Sequence, residues 1–126
     1  MKAVVDTDVL AAIIAEDSEY RDEALRLWEM LDEAVVPAIV FCELAYILIS
    51  SGHDVGLLDE ALRDPKVRLV DMSPADIRFA QRHRHYVEEV DDYNDLLVLG
   101  AAVRLGLPLL TFDAKLNSIA EKIRGR

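Results

Sequence analysis

Four carboxylates in this chain have the type and spacing to do chemistry together. Glu43 lies in AIVFCELAYILI, twelve residues with no other charge. Its neighbours at helical spacing are Ile39, Val40, Tyr46 and Ile47, and a helix apolar on nearly all sides is a buried one. An ionised carboxylate there is costly unless it is paired, reaches a narrow solvent gap or coordinates a metal. Asp6 follows the run AVV, Asp113 closes LLTFD, and Asp95 opens the helix that leads into that run. Each of these three, taken singly, reads as a helix cap, because Asp is a favoured N-cap and the helix dipole stabilises acids in a first turn. Capping does not account for several of them at one end of a sheet, where ligands of open parallel sheets bind.

Gathered together, such acids repel one another. Two like charges about 4 Å apart cost about 4 kcal/mol at an effective dielectric of about 20, and divalent cations remove that cost. His53, His83 and His85 lack the spacing of a metal cluster, and Cys42 has no cationic or His neighbour in sequence, so it reads as packing. A set of hard oxygen donors favours Mg²⁺ or Mn²⁺ over Zn²⁺. A site of that kind is suited to phosphate esters. It lowers the pKa of a water, aligns it and stabilises the leaving oxygen.

The elements that must position these acids alternate along the chain. Residues 3–5 predict a strand, and Val9, Leu10, Ile13 and Ile14 a helix after it. Residues 18–33 predict an amphipathic helix with Tyr20, Ala24, Leu27 and Leu31 on its stripe and Trp28 beside it, Tyr20 and Trp28 being core. A second strand follows at 34–37, an apolar helix at 38–50, a short helix at 55–63 and a third strand at 67–70. Ser73, Pro74 and Asp76 begin a helix, as cap, first residue and first-turn acid, that is expected to run to about Val87. Residues 94–105 form the next helix, stopped by Gly106, with a fourth strand at 109–112 and a last helix at 114–124. The expected fold class is α/β, a three-layer α/β/α domain over residues 1–126. Its sheet is mostly parallel with about four strands, and the fifth strand common in such sheets is absent.

Composition narrows the function classes. The chain has 126 residues and a net charge of −10. A hydrophobic fraction of 52% with 30% charged residues excludes a disordered chain. A pI of about 4.6 argues against holding duplex DNA by general electrostatics. One cysteine permits no internal disulfide and fits a reducing compartment. The opening MKAVVDTDVL is unlike a signal peptide. The longest apolar run, residues 34–42, is far short of the about 20 needed to span a membrane. A cytoplasmic protein is expected.

The order of these motifs resembles the PIN-domain nucleases, particularly the toxin ribonucleases of VapBC-type toxin–antitoxin pairs. VVDTDVL carries Asp6 and Thr7, VPAIVFCELAYIL carries Glu43, NDLLVLGAAVRLGLPLL carries Asp95, and LLTFD carries Thr111 and Asp113. The resemblance implies a metal-dependent endoribonuclease in which Asp6, Glu43, Asp95 and Asp113 hold one or two Mg²⁺ or Mn²⁺ ions. A metal-bound water would attack the RNA phosphodiester, with Thr111 positioning a ligand or water. It also implies a homodimer and a small antitoxin that inserts into the acidic groove. Asp8 departs from the family pattern, which has Ser or Asn there, and adds a fifth carboxylate or a helix cap.

Other residues carry weaker signals. Asn117 is one turn past Asp113 and could touch a metal water. Asp91 and Asp92 read as solvated acids at a helix start. Arg78, Arg82 and His85 fall on one predicted helical face, with Arg84 nearby, as a candidate RNA contact or a solvated face. Two other classes compete, one an enzyme and one not. A haloacid-dehalogenase-type phosphatase would use Asp6 and Asp8, and a receiver-like domain would use Asp71, Thr111 and Lys115. Both leave Glu43 without a role. A catalytically inactive PIN-like interaction module is the third alternative.

Overall fold

A computed structural model describes residues 1–125. Four parallel strands form one sheet in the order β3-β2-β1-β4. Strand β1 (Lys2–Val5) lies between β2 (Glu33–Pro37) and the short β4 (Leu109–Leu110), and β3 (Val67–Val70) forms the far edge. Ala3, Val4 and Val5 are fully buried. That is why β1 is a continuous apolar run and not an alternating one.

Helices make every crossover. α1 (Thr7–Ile14) and α2 (Arg21–Met30) join β1 to β2, and α3 (Ala38–Ser50) and α4 (Leu57–Arg63) join β2 to β3. α5 (Pro74–Arg82) and α6 (Val90–Leu105) then carry the chain back across the sheet to β4, and α7 (Ala114–Arg124) follows. The first two crossovers step one way along the sheet and the third returns. With right-handed connections the helices therefore divide between the two faces, giving the three-layer α/β/α arrangement. One apolar cluster joins the sheet to α1 and α3, and a second joins Phe79, Leu96, Leu99, Leu116 and Ile119 of α5, α6 and α7. The four-stranded parallel sheet agrees with the sequence reading, and no fifth strand is present among the described residues.

Several boundaries differ from expectation. α2 spans Arg21–Met30, not 18–33, and Tyr20 is half exposed, stacked on Phe112 at 5.4 Å and not in the core. Trp28 is half-buried. α5 stops at Arg82, and a separate 3₁₀ turn covers Arg84–Tyr86. Arg78 and Arg82 thus share a helix that His85 does not. α6 begins at Val90, one turn earlier than expected, because Glu89 and Asp92 form a reciprocal capping box. Asp95 lies in the second turn and does not open the helix. α3 is buried only along Val40, Leu44 and Leu48, while Cys42, Tyr46, Ile47 and Ile49 are exposed. Glu43 is half-buried between the two faces, and Cys42 is not a packing residue.

Candidate active site

The sheet order reverses between β1 and β4, since β1 leads to β2 on one side and β4 arrives on the other. Ligands of open α/β sheets bind beyond the strand ends at such a switch point. Asp6 follows β1, and Asp113 lies three residues past Leu110 of β4. Between them opens a groove of about 550 Å³. Asp6, Asp8, Glu43, Asp91, Asp95 and Asp113 line it, with Thr7 and Asn94. Ile39, Cys42, Tyr46 and Ile47 of α3 form its apolar wall.

Each acid except Asp91 and Asp95 is held by a hydrogen bond. Asp6 caps α1, its Oδ1 accepting the Thr7 amide at 2.9 Å while its Oδ2 accepts the Thr111 hydroxyl at 2.8 Å. Asp8 Oδ2 accepts the Phe112 amide at 3.1 Å. The Thr7 hydroxyl donates to Glu43 Oε1 at 2.9 Å, and the Asn94 amide approaches Glu43 Oε2 at 3.5 Å. Asp113 caps α7 through the Leu116 amide at 3.0 Å. The cap reading and the groove reading are therefore both true of Asp6 and Asp113. Asn117 donates to the Thr111 carbonyl at 3.2 Å, bracing the loop that carries the Thr111 hydroxyl.

The electrostatics follow from burial among like charges. Burial first, then the nearby Asp8 charge, raises Asp6 to about 6 against the hydrogen bonds of Thr111 and Thr7. Burial first, then Asp6, Asp113 and Glu43, raises Asp95 to about 8. Burial also raises Asp8 and Glu43. Asp92 behaves differently. The Lys115 ammonium first, then the Glu88 and Glu89 amides, donate to it and hold it down at about 2.

One groove residue was not singled out from the sequence. Asn94 orients Glu43 from the adjacent helix, and its only signal was its place before Asp95. Thr7 was expected in a supporting role, and its buried hydroxyl links α1 to α3. Arg78, Arg82 and His85 do not line the groove. Asp71 follows β3 at the opposite edge of the sheet, away from the switch point.

The model of the PIN domain family matches residues 3–122. The chain belongs to the PIN-domain family. Its fold is similar to that of Mycobacterium tuberculosis VapC20, a sarcin–ricin-loop-cleaving toxin, with a TM-score of 0.80 and 20% identity over 93% of this chain and 94% of that one. A toxin–antitoxin complex from Klebsiella pneumoniae matches with a TM-score of 0.71 and 18% identity, covering 90% of this chain and 88% of that one. FitAcB from Neisseria gonorrhoeae also gives a TM-score of 0.71, at 18% identity over 96% and 94%. No curated protein sequence matches the chain. Membership of the PIN family removes the phosphatase and receiver alternatives. No described helix is long and apolar enough to cross a membrane.

The chemistry of the donors in this PIN domain fits a hard divalent cation. They are carboxylate oxygens backed by hydroxyl and amide groups, and two are driven toward protonation by burial and by neighbouring acids. Among the described residues no three or more His, Cys, Asp or Glu side chains are, as they stand, close enough together to hold a metal ion. A cation here would keep several waters, as Mg²⁺ commonly does.

Proposed function

We propose that this PIN domain is a metal-dependent endoribonuclease, a toxin restrained by a small antitoxin. The observation that carries this reading is the charge deficit of the groove. Asp6 and Asp95 are pushed to about 6 and about 8 by burial and by facing other acids with no cation among them. Strongly perturbed carboxylates in a cleft at the switch point of a sheet mark a functional site. The likeness to a loop-cleaving toxin and to toxin–antitoxin assemblies supports RNA as substrate and an antitoxin as partner. A homodimer belongs to the same proposal.

Asp6, Glu43, Asp95 and Asp113 would hold one or two Mg²⁺ or Mn²⁺ ions. When bound, such an ion supplies a water of lowered pKa and stabilises charge on the phosphate oxygens. The chain's own residues prepare the groove. Thr111 fixes Asp6 and receives the Asp113 amide at 3.1 Å, so one hydroxyl sets the spacing of two acids. Thr7 and Asn94 aim Glu43 from opposite sides. The apolar wall of Tyr46 and Ile47 offers a surface for a nucleobase. Without a cation the six acids repel the RNA backbone, so tight groove binding as well as cleavage depends on metal.

The test is thermal melting under Mn²⁺ titration together with RNA cleavage, on the wild type and on Asp6→Asn, Glu43→Gln, Asp95→Asn and Asp113→Asn. A wild-type melting temperature that rises with Mn²⁺, with each variant losing both response and cleavage, is the expected result. A wild type that ignores Mn²⁺, or variants that keep cleaving, would overturn the reading.

A further inference from the structure

Residues 77–87, IRFAQRHRHYV, hold three arginines and two histidines and no acid, in a chain of net charge −10. Several cations elsewhere find carboxylates. Lys2 and Arg68 reach Glu33, Arg63 reaches Asp59, and Lys115 reaches Glu88 and Asp92. Arg78, Arg82 and Arg84 have no carboxylate partner among the described residues. Arg84 instead donates to the Gln81 carbonyl at 2.7 Å, which holds it across the end of α5. The neighbouring Glu88 is turned toward Lys115.

Rings accompany these charges. His85 and Tyr86 lie 4.3 Å apart, centroid to centroid, and His83 packs on the buried Phe79 at 4.6 Å. The result is a run of tilted rings that starts in the core and ends at the exposed His85. It is fixed to the helix that carries Asp95. A Cβ on Gly100 of α6 would sit 2.9 Å from a Phe79 ring carbon, so α5 and α6 meet closely through that glycine. The Tyr93 hydroxyl donates to Gln81 Oε1 at 3.1 Å, tying the end of α5 to the residue just before Asn94.

We propose that this corner is a docking surface for single-stranded RNA, with a base stacked on His85 and Tyr86 and phosphates met by Arg78, Arg82 and Arg84. Guanidinium groups free of carboxylates beside an exposed His85 ring and the half-buried Tyr86 are the chemistry that recognises unpaired nucleotides. The surface gives an acidic protein a foothold on a polyanion that needs no metal, and α6 delivers the held strand toward the groove. It rests on the nuclease reading for its purpose but not for its binding.

The test uses the full chain and a fluorescent 12-nucleotide RNA without secondary structure. In chelator, wild-type binding should be weak but measurable. The variant R78A/R82A/R84A should lose about tenfold in affinity and lower the salt slope by about 2. H85A/Y86L should lose about tenfold with the slope unchanged. All variants should melt like the wild type. With Mn²⁺, both should raise KM about tenfold while kcat stays within about twofold, since charge and stacking act here on binding alone. Unchanged affinity and slope in both variants would overturn the proposal. So would unchanged RNA affinity with lost binding of an aspartate-rich peptide, which would assign the surface to a protein partner. A wild type that binds RNA through these residues yet cleaves none sinks the nuclease reading and leaves the docking surface standing. Cleavage with KM unaltered in the variants does the reverse.

Discussion

Asp76 and Asp6 are equally hidden, 2% and 4% exposed, yet they are stabilised in opposite ways. Asp76 caps α5 through the Ser73 amide and takes a two-pronged bond from Arg104, with Nε–Oδ1 at 2.8 Å and Nη2–Oδ2 at 3.0 Å. Its charge is answered entirely by protein. Asp6 has two hydrogen bonds but faces Asp8 and Glu43, and Asp95 faces Asp6, Asp113 and Glu43. One buried acid is complete as folded, and the other waits for positive charge from outside. The pair separates compensated from uncompensated carboxylates without reference to the family, because burial alone does not distinguish them and the sign of the neighbours does.

The sharpest way to break this contrast is to neutralise each side. Asp95→Asn should cut RNA cleavage by about 10³-fold, near 4 kcal/mol of transition-state stabilisation. It should leave the metal-free fold as stable as the wild type or more so, since a repelling charge is removed. Arg104→Met should do the opposite. It should destabilise by about 2–4 kcal/mol in denaturant unfolding, less than a fully buried pair because Arg104 is 30% exposed. Cleavage per folded molecule should be retained. If Asp95→Asn unfolds the protein and Arg104→Met does not, the assignment of the two acids is reversed.

Much of this architecture could be read from residue order, and the exceptions have physical causes. The spans of α3, β3 and α7 were legible because Pro37, Pro65, Ser73, Asp113 and Gly125 punctuate them chemically. The start of α6 was not, because its cap is Glu89 with Asp92 and not the familiar Ser or Thr with Glu. That one turn moved Asp95 from a dipole-stabilised end to an interior position, where its charge is harder to hold. The exposure of Cys42 and Tyr46 was hidden by a helix apolar on every side, since periodicity cannot choose a face when all faces qualify. The four acids that the order along the chain singled out all line one groove. Asn94 was not singled out, because an amide that orients a carboxylate across helices leaves no mark in one-dimensional spacing.

The contrast also predicts a pH profile for the metal-free protein. Asp6 and Asp95 hold protons more tightly folded than unfolded, being raised from 3.8 to about 6 and about 8. The folded state then binds more protons than the unfolded one between those values, so stability falls as pH rises from about 4 to about 8. Asp92 acts in the other sense only at lower pH, because its stabilisation is lost as pH falls through about 2. His83, lowered from 6.5 by burial and then by Arg82 and His85, opposes the trend below that pH but not above it. Melting in chelator should therefore show a loss of several kcal/mol by pH 8. Saturating Mn²⁺ should flatten the profile, and Asp95→Asn should remove its upper half. A metal-free profile that rises toward pH 8 would mean that the groove already contains its compensating charge.

The smallest effect sharpens the comparison most. Lys115 bridges Glu88 at 2.9 Å and Asp92 at 2.8 Å, outside the groove but one helix turn from Asp95. It is an exposed bridge, so Lys115→Met should cost less than about 1 kcal/mol in global stability. Its second consequence is electrostatic. Asp92 is held ionised by Lys115 and the two amides, and that fixed charge is one of those raising Asp95. Freed of Lys115, Asp92 presents a less screened negative charge to Asp95, and the upper inflection of the metal-free pH profile should move to higher pH. Asp92→Asn removes the charge and should move it down. Opposite shifts from two variants of a single salt bridge would show that Asp95 responds to the sum of charges around it. Shifts in the same direction would instead mean that both variants act by loosening the first turn of α6.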